Sequence, residues 1–186
     1  MQRAWGVEGK WLLAGLMAAV LAACGGGGDD SSGGGTEPPP NGGGTALTAG
    51  VPGVTGDWLA NGCSSAGGQS FKNLIRATRI NDTSITYANG VVSYANGTCS
   101  GTGSLTGPTN MGTVAFSRSA SNSSVAANWG VFTTITSTTS AVIWAKKSET
   151  VLCLLGDETP SILPTLTDVA SSLVVQPDAG CYTRQP

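Results

Sequence analysis

Few side chains in this chain are suited to chemistry: five cysteines, eleven carboxylates, nine basic residues and no histidine. The missing imidazole excludes a Ser-His-Asp triad and the commonest zinc ligand, and removes the usual proton shuttle near neutral pH. Carboxylates that could pair for acid–base work are Asp157, Glu158, Asp168 and Asp178. Asp157 and Glu158 sit in a Gly-Asp-Glu-Thr-Pro turn, where acidic residues are normally solvated, and Lys146-Lys147 reads as a strand end facing water. No motif supports a Ser-Lys dyad. No catalytic residue, cofactor or metal is expected, and no enzyme.

The cysteines are informative through their surroundings. Cys24 ends an apolar run from Trp11 to Ala23, preceded by Arg3 and Lys10. Thirteen residues are too few to span a bilayer as a helix, which takes about twenty. A basic start, a short apolar core and small residues before a cut read as a signal peptide over residues 1–23. The remaining chain has seven basic and ten acidic residues, a net charge of −3. That balance excludes the basic surface needed for nucleic-acid binding.

The order Leu21-Ala22-Ala23-Cys24 resembles the lipobox of bacterial lipoproteins. The resemblance implies that Cys24 is acylated and that the leader is removed before it. Two acyl chains anchor a protein durably, at about 0.8 kcal/mol per buried methylene, so the expected partner is a membrane, reached through N-terminal lipid. Gly25 stands where aspartate would retain well-studied Gram-negative lipoproteins at the inner membrane. The expected location is therefore the outer membrane, facing the periplasm or the cell surface.

Residues 24–46 form the expected tether. Ten glycines and three prolines lie between Gly25 and Gly44, with Asp29, Asp30 and Glu37. Such a segment buries too little apolar surface to offset its ordering entropy and is expected to be disordered.

From Leu47 the pattern becomes short apolar and threonine-rich runs broken by Gly, Asn and Pro. It predicts strands over Thr55–Asn61, Gln69–Arg79, Thr83–Tyr87, Val91–Ala95, Thr113–Arg118 and Gly130–Thr136. Further strands are predicted over Ala141–Lys147, Thr150–Leu155 and Gly180–Arg184. Asn89-Gly90 and Asn96-Gly97 read as turns. A helix is predicted over Leu166–Leu173, started by Thr165 and Asp168 as a capping box. Many short strands favour an all-β sandwich or barrel for residues 47–186. Cys63, Cys99, Cys153 and Cys181 imply two disulfides in an exported domain, with three connectivities open. Pairing of sequence neighbours, Cys63–Cys99 and Cys153–Cys181, is favoured.

Gly56-Asp57-Trp58 at the start of this domain and Arg184 in its last strand are similar to the lipocalin (calycin) pattern. There a Gly-x-Trp on the first strand packs near an arginine from the final strand. Cys63 and the run Thr98-Cys99-Ser100-Gly101 add a resemblance to small lipocalin-like lipoproteins. The resemblance implies a compact antiparallel up-and-down barrel and contact between Trp58 and Arg184. From the residues alone, Trp58 is equally a core aromatic and Arg184 a surface charge.

Three function classes follow. The first is a non-enzymatic binding module for a small apolar ligand, with Phe116, Trp129, Phe132 and Trp144 lining a cavity or forming ordinary core. The second is an envelope structural or protein-interaction lipoprotein with a solid core and polar loops such as Ser117–Ser124. The third, of low weight, is a hydrolase using carboxylates. The lipid site is directly testable: Cys24→Ala is expected to abolish incorporation of labelled fatty acid in the bacterial host. Undiminished labelling would contradict the assignment.

Overall fold

The computed structural model describes residues 45–155 and 162–186. The leader, Cys24, the tether to Gly44, Asp157 and Glu158 lie outside the described residues.

A short helix, α1 (Gly50–Val54), precedes nine strands. These are β1 (Gly56–Ala60), β2 (Ser64–Ala66), β3 (Gln69–Arg79), β4 (Ser84–Tyr94), β5 (Ser104–Ser121), β6 (Ala126–Thr134), β7 (Thr139–Ser148), β8 (Val151–Leu154) and β9 (Cys181–Arg184). Helix α2 (Leu166–Val175) and a single 3-10 turn (Asp178–Gly180) lie between β8 and β9. From β3 to β9 each strand pairs antiparallel with the next, and β1 pairs with both β3 and β9. Eight strands thus close into an antiparallel up-and-down barrel, with β2 an appended hairpin arm on β3.

Closure depends on β1, only five residues long. Trp58 stands opposite Ile75 on one side and Arg184 on the other. On the outer face of the same seam, Asp57 stands opposite Arg76 and accepts two hydrogen bonds from its guanidinium, at 2.8 and 2.6 Å.

The pleat sends alternate residues to two separate cores. Inside the barrel Trp58, Ile75, Ile85, Val114, Phe116 and Leu152 pack together. Outside, the faces of β6, β7 and β8 carry Trp129, Ile143, Ala145 and Cys153, covered by Val169 and Leu173 of α2. Full burial of a Val or Leu side chain contributes roughly 1.5–3 kcal/mol, so these two residues hold the amphipathic helix in place. The capping box forms as the sequence predicts, with Thr165 and Asp168 bonding each other's backbone N–H. The helix runs on to Val175, two residues beyond the predicted end.

Trp129 is therefore not a candidate cavity residue. It faces outward beneath α2, and its indole N–H donates to the Leu163 carbonyl at 2.7 Å. A bulge between Phe116 and Arg118 brings Arg118 to the same outer face, its guanidinium 3.9 Å from the Trp129 ring centroid.

Both disulfides join sequence neighbours, Cys63–Cys99 and Cys153–Cys181. The second links residues directly opposite on β8 and β9. In the chain-entropy description each loop closure is worth roughly 3.5–4 kcal/mol.

Two sequence expectations are corrected. Asn89-Gly90 is no turn: β4 runs unbroken from Ser84 to Tyr94. Gly90 is needed because β5 bulges towards it, and a Cβ there would lie 3.0 Å from the Thr106 carbonyl oxygen. Ser117–Ser124 is not one loop either, since β5 extends through Ser121.

Candidate functional site

The two ends of the barrel differ in chemistry. One is sealed by α1, whose sequence, Gly-Val-Pro-Gly-Val, has almost no helix propensity. It forms because barrel side chains bind its backbone. Asn128, fully buried on β6, accepts from the Gly50 N–H and donates to the Trp144 carbonyl. The Trp58 indole N–H donates to the Val54 carbonyl at 2.8 Å. The Arg184 guanidinium donates to the Thr55 carbonyl at 2.7 Å while lying 4.8 Å from the Trp58 ring centroid. Such a cation–π contact contributes about 0.5–2 kcal/mol. Val51 and Val54 complete the plug, both wholly buried.

Gly56, Trp58 and Arg184 are thus brought to one place. Gly56 has φ +130°, a region that favours glycine, and a Cβ there would point at the Arg184 guanidinium, 3.8 Å away. That conformation lets the chain leave α1 and turn directly into β1.

Lys146 is a further correction. It does not face water but points into this closed end, with no exposed surface. Its ammonium donates to Glu149 at 2.6 Å, and the second carboxylate oxygen of Glu149 accepts from the Thr48 N–H at 2.6 Å. Lys147, on the opposite face, donates to Asp178 and to the Gln176 carbonyl. Of the four carboxylates considered for acid–base work, the two described ones serve structure, Asp168 in a helix cap and Asp178 in this ion pair.

At the other end the barrel opens. One chamber, about 220 Å³, is lined by Tyr87, Val114, Phe132, Val142, Trp144 and Leu154. A second, about 520 Å³, lies across the mouth against Phe71, Asn73, Val91 and Tyr182, with Cys63 and Cys181 at its edge. These sizes bracket the low end of the range for small-molecule pockets, roughly 300–1,000 Å³. The Tyr87 ring meets Phe132 and Trp144 edge-on, at centroid distances of 5.4 and 5.9 Å, and Phe116 meets Trp144 at 6.1 Å. Edge-to-face contacts of this kind fix ring orientation. Phe116, Phe132 and Trp144 all face the interior.

Burial raises the Tyr87 phenol pKa, and the nearby Tyr182 phenol adds to the effect. Burial likewise raises that of Tyr182. Both therefore keep their protons at all ordinary pH. No Lys, Arg, Asp or Glu lines either chamber among the described residues.

No protein-family model, curated protein or solved structure significantly matches this chain. The geometry of the two ends therefore carries the functional argument.

Tyr87, Tyr182, Asn128 and Lys146 do not stand out in the sequence. Tyr87 opens a Tyr-Ala-Asn-Gly segment that reads as a turn. A signal for Tyr182 does exist: a strand disulfide at Cys181 on the outer face obliges the next residue to point inward. Lys146 and Asn128 require the register, which sequence does not supply.

The closed end has a calculable pH response. The Lys146 ammonium and the Thr48 N–H hold the Glu149 carboxyl below its ordinary value. Its folded pKa is thus lower than its unfolded one, near 4.3. The associated stability is complete above that value and is lost as pH falls through the lower folded value. Glu149→Gln is expected to lower the melting temperature at pH 7 and to flatten the loss between about pH 5 and 3. Asn128→Ala, which strips partners from the Gly50 N–H and the Trp144 carbonyl, is expected to lower unfolding free energy by about 1–3 kcal/mol. Thermal melts across pH and urea titrations check both, and wild-type profiles in both variants would contradict this account of the plug.

Proposed function

We propose that this chain is a membrane-anchored bacterial lipoprotein whose barrel is a non-enzymatic, lipocalin-like module binding a small apolar ligand at its mouth. The observation that carries the reading is the contrast between the ends. Polar groups and a helical plug fill one end, whereas the other holds an aromatic-walled cleft with no charged lining residue among the described residues. Eight-stranded barrels have room for a packed interior or for one small ligand, and here the two halves divide those options.

The anchor rests on the sequence. Cys24 follows a short apolar leader and two small residues, and a Gly-rich stretch comes next. Acylation there would hold the protein at the outer membrane. The described chain enters at the sealed end, where the Leu47 N–H bonds to Asn122 in the turn between β5 and β6. The mouth is at the opposite end of the barrel from Leu47.

Native mass spectrometry of the full-length protein, purified without reductant, tests the reading. A co-purifying small molecule released on denaturation is expected, with both disulfides intact. A bare chain that also takes up no apolar compound offered in excess would contradict it and favour a protein-interaction role.

A further inference from the structure

We propose that the ligand of the mouth is an uncharged molecule with an apolar body and an oxygen acceptor, held through the phenols of Tyr87 and Tyr182. This inference rests on the reading of the mouth as a binding site and names the chemistry that the site selects.

Each phenol belongs to a different chamber, Tyr87 to the inner one and Tyr182 to the outer. Their side chains come from strands on different parts of the wall, β4 and β9, yet both pack against the one interior cluster. Among the described residues neither hydroxyl has a hydrogen-bond partner, although Tyr87 is otherwise held on two sides by aromatic rings. A ligand seated between the chambers displaces water from both hydroxyls. It must return an acceptor to them or lose the affinity that those hydrogen bonds represent. Because both phenols stay protonated, they act as donors, and the matching group is a carbonyl, ether or hydroxyl oxygen.

Charge supplies the second criterion. Among the described residues the polar side chains around the two chambers are the phenols, the Ser140 and Ser64 hydroxyls and the Asn73 amide, all neutral. The interior cations, Lys146 and Arg184, lie at the sealed end, bonded to Glu149 and to the Thr55 carbonyl. A carboxylate or ammonium drawn into the mouth would be desolvated without a counter-charge. A fatty acid is therefore excluded in its ionised form, while a neutral ketone, quinone or alcohol of similar bulk is accepted.

Three probes separate the criteria: diphenylmethane, with no acceptor; benzophenone, with one carbonyl; and 4-benzoylbenzoate, with the carbonyl and a charge. Binding to the full-length oxidised protein is measured by equilibrium dialysis, for wild type, Tyr87→Phe, Tyr182→Phe and the double variant. Benzophenone is expected to bind about three- to tenfold more tightly than diphenylmethane, with 4-benzoylbenzoate weakest. The double variant is expected to erase the advantage of benzophenone while leaving diphenylmethane binding unchanged, which also shows that the variant is folded. Equal binding of all three probes, or an advantage for benzophenone that survives both substitutions, overturns the inference and leaves the mouth a general apolar site. Tightest binding by 4-benzoylbenzoate overturns it as well. Failure of all three to bind the wild type removes the binding reading itself.

Discussion

The guanidinium of Arg184 sits where the barrel is sewn shut. Its strand, β9, is one neighbour of β1, and β3 is the other, so the ladder closes through a five-residue strand. A strand that short has few hydrogen bonds with which to hold its register. The Trp58 ring under the guanidinium, the Thr55 carbonyl beside it and the Asp57–Arg76 pair on the outer face lock that register from both sides of the sheet. Once β1 is locked, the inward positions of its two neighbours, β3 and β9, follow from their registers.

The same closure explains why buried polar groups gather at one end. A lysine, an asparagine and an arginine inside a barrel of this size are costly unless each is bonded. Helix α1 and its flanks supply part of this bonding, although the Arg184 Nε stays buried without a partner among the described residues. Thr55 caps the Val51 carbonyl, Asn128 accepts from the Gly50 N–H, Trp58 and Arg184 donate to the Val54 and Thr55 carbonyls, and Lys146 finds Glu149 at the edge of the plug. Concentrating the polar interior there leaves the other half of the barrel to aromatic and aliphatic walls. The sealed end thus stabilises a fold whose open end can remain unfilled.

Much of this architecture is legible in the sequence. Strand β3 shows its alternation, the Thr165–Asp168 cap marks the helix, and pairing cysteines that are neighbours in sequence gives the bridges that form. Gly56, Trp58 and Arg184 stand out by type and position, though their joint geometry depends on pairing across the seam. The hidden features share one cause, which is that long-range context overrides a local signal. Asn89-Gly90 carries turn chemistry but serves a bulge in the neighbouring strand. Helix α1 has residues that do not favour a helix and forms by docking. Lys146 and Lys147 are alike in sequence, and only the register sends one into the barrel and the other to Asp178. Trp129 and Trp144 look equally suited to a cavity wall, yet stand on opposite faces of the sheet.

Residue-resolved amide hydrogen exchange on the native protein tests the central claim, that the plug and the β1 seam form one cooperative unit with the barrel. The N–H groups of Gly50 and Thr55, bonded to Asn128 and to Val51, should exchange only through global unfolding, together with those of β1. Exposed positions around the mouth, such as Gly67 and Gly101, should exchange orders of magnitude faster. Rapid exchange at Gly50 and Thr55, with the rest of the barrel still protected, would show α1 to be a loose appendage and would contradict the account.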